Sequence, residues 1–352
     1  MTINISEFKE IELIRSFAGT FPRHPNQLNG LLEADAEILK LPGSIEEYLV
    51  LKTDGISEEI NEKLYEDPYL IGWISVTAPL SDIAAVGAEP TGILLSIVLP
   101  QQNAHDWIKR LQEGIHDACN AYGIYILGGD TNYADNFSIS ATAVAFVRNK
   151  KPLLRKGIQP GDILYSTASL GLGNAYAYSR FFDTSLNIQY KPEARLKESR
   201  IISEFAIACM DTSDGLFPAL AFLSDLNSIG FSLDAPLQEL LHPDALKVQQ
   251  KAGLPSWMFM AGPHGEYELI FSIPAERNKD FESYCKKENW QPLCLGKIIT
   301  DKQLRFTSDN LKINCTPAEI PNLFHKANGN IQSYFKLLTL QHENWSSVNL
   351  YA

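Results

Sequence analysis

The chain has 352 residues, of which 45% are hydrophobic and 20% charged, and a formal net charge of −12. That composition belongs to a folded protein of about two domains and excludes disorder as the main state. An acidic surface also disfavours nucleic acid and anionic membranes, which bind through basic patches, so an anionic ligand here calls for a mediating cation.

The cysteines are Cys119, Cys209, Cys285, Cys294 and Cys315. Their number is odd and no pair has CxxC spacing, which argues against a disulfide framework and a zinc site. Met1 to Glu10 is polar and mixed in charge, unlike a secretory signal. The longest apolar stretch, Gly92 to Pro100, is too short to span a bilayer as a helix. The expected setting is cytoplasmic.

Phe8, Ile11, Ile14 and Phe17 recur at helical spacing and predict a short amphipathic helix. Tyr48 to Thr53 reads as a strand ending at Asp54. Asp67 to Val86 reads as a helix that Pro79 should kink or split and Gly87 should stop. Gly92 to Leu99 reads as a buried strand without alternation. Asn103 is the expected cap of a helix carrying Trp107, Leu111, Ile115 and Cys119, ended by Gly123. Ile124 to Leu127 is a short strand running into Gly128-Gly129-Asp130. Phe137 to Val147 alternates and predicts a half-buried strand.

Arg148 to Pro152 forms a basic, proline-ended break, which divides the chain into residues 1–150, 151–305 and a tail of 306–352 whose pattern weakens beyond Asp309. In the second half a turn at Gly157 to Asp162 feeds a strand at Ile163 to Thr167. Helices are expected after Gly173, over Pro192 to Phe205, over Ser213 to Ile229 and over Ala275 to Glu288. Glu268 to Ile273 is a strand and Leu293 to Ile299 the expected last one. Two halves of mixed elements predict two α+β domains.

The Walker A pattern and the protein-kinase HRD and DFG signatures are absent. Gly171-Leu172-Gly173 is half of a dinucleotide fingerprint, and reads first as a helix-entry turn. The informative pattern is a set of aspartates at element ends: Asp35, Asp54, Asp82, Asp130, Asp211 and Asp214. Mg²⁺ takes carboxylate, water and phosphate oxygens, so a few separated carboxylates suit a Mg²⁺–phosphate site. Singly, each reads as a cap or turn former; Asp82 after Ser81 and Asp214 before Gly215 are examples.

Their contexts carry a resemblance. Leu80-Ser-Asp-Ile-Ala-Ala-Val-Gly-Ala-Glu-Pro90, Leu127-Gly-Gly-Asp-Thr131, Gly157 to Tyr165, Met210-Asp-Thr-Ser-Asp-Gly-Leu216 and Gly265-Glu-Tyr-Glu-Leu269 occur in the order of one superfamily. It comprises aminoimidazole ribonucleotide synthetase, selenophosphate synthetase and thiamine-monophosphate kinase, and the chain resembles the kinase most. The resemblance implies an α+β fold of two domains, the N-terminal one forming a dimeric barrel-like sheet, and a homodimer. It implies ATP bound with Mg²⁺, with Asp35, Asp54, Asp82, Asp130 and Asp214 as metal acids. Gly128, Gly129, Asp130 and Thr131 would meet the phosphates. Asp214 and His264 are the candidate catalytic residues. The implied reaction moves the γ-phosphoryl group of ATP onto thiamine monophosphate, which needs positioning and charge neutralisation more than a protein nucleophile.

The chain departs from the kinase pattern at several points. Ala34 stands where the kinase has an acid, with Glu33 close by. Glu58 to Glu62 replaces a segment with His and Phe. Pro79 replaces an Asn, and Asn132-Tyr133 stands where an Arg often follows. His264 replaces a glycine, and no Gly-aromatic-x-His-Phe occurs near the C-terminus. His264 reads either as a polar loop residue or as a phosphate contact or general base, because imidazole titrates near neutral pH. Two other readings stay open: a paralogue acting on another acceptor, by phosphoryl transfer, dehydration or ligation, and a non-catalytic nucleotide-binding dimer.

Overall fold

The computed structural model describes residues 9–100 and 105–349. Met1 to Phe8 and Asn103, the expected cap, lie outside them. The chain divides into two compact units. His24–Leu154 with Lys191–Glu204 make the N-terminal unit; Arg155–Tyr190 and Phe205–Ala352, with the residues up to Arg23, make the C-terminal unit. The first helix, α1 (Lys9–Thr20), goes with the latter.

In chain order the N-terminal unit holds β1 (Glu37–Lys40), β2 (Glu47–Gly55), α2 (Ser57–Asn61), α3 (Pro68–Ala85), β3 (Glu89–Leu99), α4 (His105–Tyr122), β4 (Tyr125–Tyr133) and β5 (Ser138–Arg148). They form an open sheet in the order β1-β2-β5-β3-β4. Its pairs are antiparallel except β3–β4, which are parallel and joined through α4, as a crossover requires. On β5, Ile139, Ala141, Ala143, Ala145 and Val147 are buried, the expected alternation. On β3 the expected uniform burial fails: Ile93 and Leu95 are buried but Leu94 is 41% exposed. One face of this sheet packs on α3, so the strand keeps a two-residue period.

α3 is a single helix, not two, although Pro79 lies inside it. Every residue from Leu70 to Ala85 is buried, so packing on all sides offsets the hydrogen bond that proline removes. Asp67 caps its start by accepting from the Tyr69 amide at 3.1 Å, with Pro68 next. Gly87, at φ 75°, ends it as expected. The helix meets α4 backbone to backbone: a Cβ on Gly72 would fall 2.3 Å from the Leu111 carbonyl, and one on Gly114 2.0 Å from that of Tyr69.

Beyond residue 154 come β6 (Ile163–Ser166), α5 (Leu172–Phe181), α6 (Leu196–Phe205), β7 (Ala208–Asp211), α7 (Leu216–Asn227), β8 (Gly230–Leu233), α8 (Leu237–Leu240) and α9 (Pro243–Ala252). A 3₁₀ turn (Ser256–Met260), β9 (Leu269–Ile273), α10 (Asn278–Lys287), β10 (Leu293–Ile299), β11 (Leu304–Ser308), β12 (Leu311–Cys315), α11 (Pro321–Lys326) and α12 (Ile331–Asn349) follow. The seven-stranded sheet runs β12-β11-β8-β10-β6-β9-β7, and β8–β11 is its parallel pair. Leu293–Ile299 is therefore not the last strand: β11 and β12 extend the same sheet as a hairpin. α12 packs on the core of this unit, where Trp345 meets Trp257 edge-on at 5.0 Å and the Tyr334 hydroxyl donates to the Ala261 carbonyl at 2.9 Å. The architecture is α+β with two mixed sheets; within the single chain the N-terminal sheet ends at β1, whose outer side pairs with the segment around Gln27, and at β4. Among the described residues no helix is long and apolar enough to cross a membrane.

Candidate functional site

The N-terminal acids gather where α3 packs on β2. Asp35 precedes β1 and Asp82 lies in the last turns of α3; both are buried, at 5% exposure, and a carboxylate oxygen of one lies within 4.8 Å of one of the other. The pair offers the carboxylate oxygens that a hard divalent ion takes. Asp54 ends β2. The Lys52 ammonium lies 3.0 Å from Asp82 and 3.8 Å from Asp54 and joins the two. Glu33, next to the acid lost at Ala34, accepts from the Gly30 amide at 2.8 Å.

The Gly-Gly-Asp motif lies inside a strand rather than at the end of one. β4 runs on through Tyr133, and all of it is exposed. Gly129 faces β3 so closely that a Cβ there would be 1.9 Å from the Leu95 carbonyl, so strand pairing alone demands glycine there. Asp130 and Thr131 stand on this open strand, and Asp130 accepts from the Asn132 amide at 2.5 Å. Two departures from the kinase pattern thus fall on the acid side. Asn132 is one. The Glu58–Glu62 segment is the other: the Glu59 carboxyl is held above its usual range by burial, then by its neighbours Glu58 and Glu62 and by Asp54.

In the C-terminal unit, β7 delivers Met210-Asp-Thr-Ser-Asp-Gly to the entrance of α7. Asp211 is buried at 3%, whereas Asp214, the residue chosen from the motif, is exposed. The signal for Asp211 was its place at a strand end. The segment after His264 clasps this loop. The Gly265 amide donates to the Ser213 carbonyl at 2.8 Å, and the Thr212 amide donates to the Glu268 carbonyl at 2.8 Å. Glu266 accepts from the Gly171 amide at 2.7 Å and from the Thr212 hydroxyl at 3.3 Å. Burial, with the Glu268 charge second, pushes the Glu266 carboxyl up to about 8. The start of α5 is therefore filled by the chain's own carboxyl group, and Gly171-Leu172-Gly173 is the helix-entry turn rather than a nucleotide fingerprint.

His264 lines a cavity of about 60 Å³ with Asn174, Tyr178, Phe181, Tyr334 and Phe335 among its walls. Its ring lies 6.1 Å from that of Phe181, and its Nε2 is buried without a hydrogen-bond partner. Burial pushes the imidazole down to about 4, so the ring is neutral at physiological pH and does not switch near neutrality. The adjoining Gly262 packs on the acid loop, since a Cβ there would be 2.5 Å from the Asp214 carbonyl.

The family described as AIR synthase related protein, N-terminal domain, matches residues 33–147. A thiamine-monophosphate kinase of Methanospirillum hungatei is 30% identical over 293 residues, covering 82% of this chain and 90% of that one. Among solved structures, AaThiL complexed with AMPPCP and TMP superposes with a TM-score of 0.69 at 21% identity, covering 89% of this chain and 97% of that one. The hydrogenase maturation protein HypE in complex with ATP gives 0.61 at 18% identity, covering 86% and 92%. At those identities the structures show a shared fold. The chain belongs to the AIR synthase-related superfamily of ATP-using enzymes, in the family of the thiamine-monophosphate kinases.

Proposed function

We propose that this protein transfers the γ-phosphoryl group of ATP, with Mg²⁺, to thiamine monophosphate, giving thiamine diphosphate. The observation that carries the reading is the buried Asp35–Asp82 pair, joined through Lys52 to Asp54, on a fold shared with a kinase solved with AMPPCP and TMP. Asp35, Asp54, Asp82 and Asp130 hold Mg²⁺, and Asp214 keeps the metal-acid role its motif implies, with the buried Asp211 beside it. Bound Mg²⁺ supplies neutralisation of phosphate charge. The chain's own part is to fix the carboxylates on α3 and β2 and to leave the backbone of Gly128, Gly129 and Thr131 open to phosphate oxygens. His264 in its neutral form contributes position rather than a proton at physiological pH.

A homodimer belongs to the proposal. Among the described residues the outer edge of β4 is unpaired, and Tyr125, Ile126 and Leu127 are exposed on its first half, a stretch ahead of the Gly-Gly-Asp motif that a second copy would cover. Light scattering should give about twice 39.3 kDa, and a monomer at micromolar concentration would count against it. The cytoplasm is the proposed location.

One observation favours a second reading, in which the acceptor is another small molecule. Two departures from the kinase pattern, His264 and the C-terminal tail, meet in one cavity: Ile331, Tyr334, Phe335 and Leu338 of α12 share its wall with His264. A site that hydrogen-bonds one acceptor rejects others strongly, because unmatched buried polar groups are costly. The test is calorimetric titration with Mg-ATP, followed by an ATP-consumption screen over phosphate-bearing and neutral acceptors with product masses measured. Thiamine diphosphate as the product supports the first reading; tight ATP binding with a different product supports the second; no nucleotide binding refutes both.

A further inference from the structure

Lys52 has no counterpart among the acids that the motifs single out, yet it sits in their midst. Lys52 and Asp54 are two residues apart on β2 and so point to one face of the sheet. That face packs on α3, which brings Asp82 to the same point. The ammonium is 3.0 Å from one carboxylate and 3.8 Å from the other, and the Lys52 side chain is 26% exposed while Asp82 is 7% exposed. Val50, on the same face, is fully buried. A surface lysine keeps its charged end in water; this one is turned in among acids, where a compact positive charge is most favourable. The oxygens it holds are the same hard donors that a divalent ion would use.

We propose that Lys52 is a built-in cation of the nucleotide site, occupying between Asp54 and Asp82 the place that one divalent ion would take. The inference rests on the phosphoryl-transfer reading above. Asp82 then faces Asp35 for the ion that is bound, and the lysine, in place of a second metal between Asp54 and Asp82, holds Asp54 in register for that same ion. The chain needs one fewer divalent ion per nucleotide than its acids alone would accept. Removing the ammonium leaves like charges facing one another, which destabilises the metal-free protein and strengthens the call for an ion.

The experiment counts Mn²⁺ bound to the full chain by electron paramagnetic resonance, in the presence of a non-hydrolysable ATP analogue, for the wild type, Lys52→Met and Lys52→Arg. Lys52→Met should bind one more Mn²⁺ per chain than the wild type, with affinity at the new place about tenfold or more above any residual wild-type binding. Lys52→Arg, which keeps the charge, should retain the wild-type count. In metal-free buffer Lys52→Met should melt lower than the wild type and gain more in Tm from added Mg²⁺. Equal Mn²⁺ counts in wild type and Lys52→Met, or an extra ion in Lys52→Arg, would overturn the proposal while leaving the phosphoryl-transfer reading intact. Failure of the wild type to bind both nucleotide and Mn²⁺ would overturn that reading, and this inference with it. If Lys52→Met does not fold, Lys52→Gln is counted in its place against the same expectation.

Discussion

In the N-terminal unit, short carboxylates are fixed on a strand end and on a helix buried along almost its whole length, with a lysine between them. In the C-terminal unit, aromatic rings from α5 and α12 wall a small cavity around one neutral histidine. The first region is built of charge and needs a cation; the second is built of apolar surface and needs shape. Charge chemistry tolerates few substitutions, because a hard ion accepts only oxygen donors at fixed separations. A ring that lines a cavity is exchanged for another at a cost in packing. Departures from the kinase pattern fall on both regions: Ala34, the Glu58–Glu62 segment, Pro79 and Asn132-Tyr133 in the N-terminal unit, His264 in the C-terminal one.

The largest effect expected is on the acids. Asp82→Asn should lower Mg-ATP-dependent turnover by about 10³-fold or more, the scale of losing a group that stabilises transition-state charge. Circular dichroism should report the same fold. Turnover near wild type would break the assignment of charge chemistry to the N-terminal unit.

Glu266 tests whether the C-terminal clasp works uncharged. Its carboxyl is raised from an ordinary 4.5 to about 8. A raised carboxyl favours the folded state fully below pH 4.5, and that contribution is lost as pH rises towards 8, where the unfolded chain is ionised and the folded one is not. Glu266→Gln removes the loss. The variant's stability relative to wild type should therefore grow between about pH 5 and 8, by an amount on the order of several kcal/mol. Denaturant unfolding at several pH values measures it; a constant difference would show that Glu266 is ionised when folded.

Phe335→Ala probes the cavity. It should raise the KM for the acceptor about tenfold, the scale of losing part of a buried ring contact, and leave the KM for ATP unchanged. Equal changes in both would blur the division of labour between the two regions. The smallest effect is on stability: Asp35→Asn relieves the buried acid pair, and should raise the metal-free Tm by about 1–3 °C while abolishing the gain from Mg²⁺. An unchanged response to Mg²⁺ would remove Asp35 from the metal site.

The two regions also differ in how far the sequence revealed them. Helix α3, the alternation of β5 and the stop at Gly87 follow from local spacing and glycine geometry. So do Asp54 and Asp211, which stand at strand ends, whereas Asp130, expected just after a strand, stands inside β4. The four-residue strands β7 and β8 escape, since two residues a side carry no period. Pro79 does not split α3, because burial of the helix offsets a local penalty that a solvent-exposed helix would show in full. Lys52 is invisible as a site residue: its contact with Asp82 spans thirty positions and exists only once α3 packs on β2. The cavity is likewise a tertiary product, since His264 and Phe335 line one space only once α12 packs.

The most direct test of the account is a mass balance on the full chain with ATP, Mg²⁺ and thiamine monophosphate. The account predicts ADP and thiamine diphosphate in equal amounts, at a kcat/KM of about 10⁴ M⁻¹s⁻¹ or above, and both products formed about 10³-fold or more slowly by Asp82→Asn. ATP that binds but is not consumed, or ADP formed without thiamine diphosphate, would contradict it.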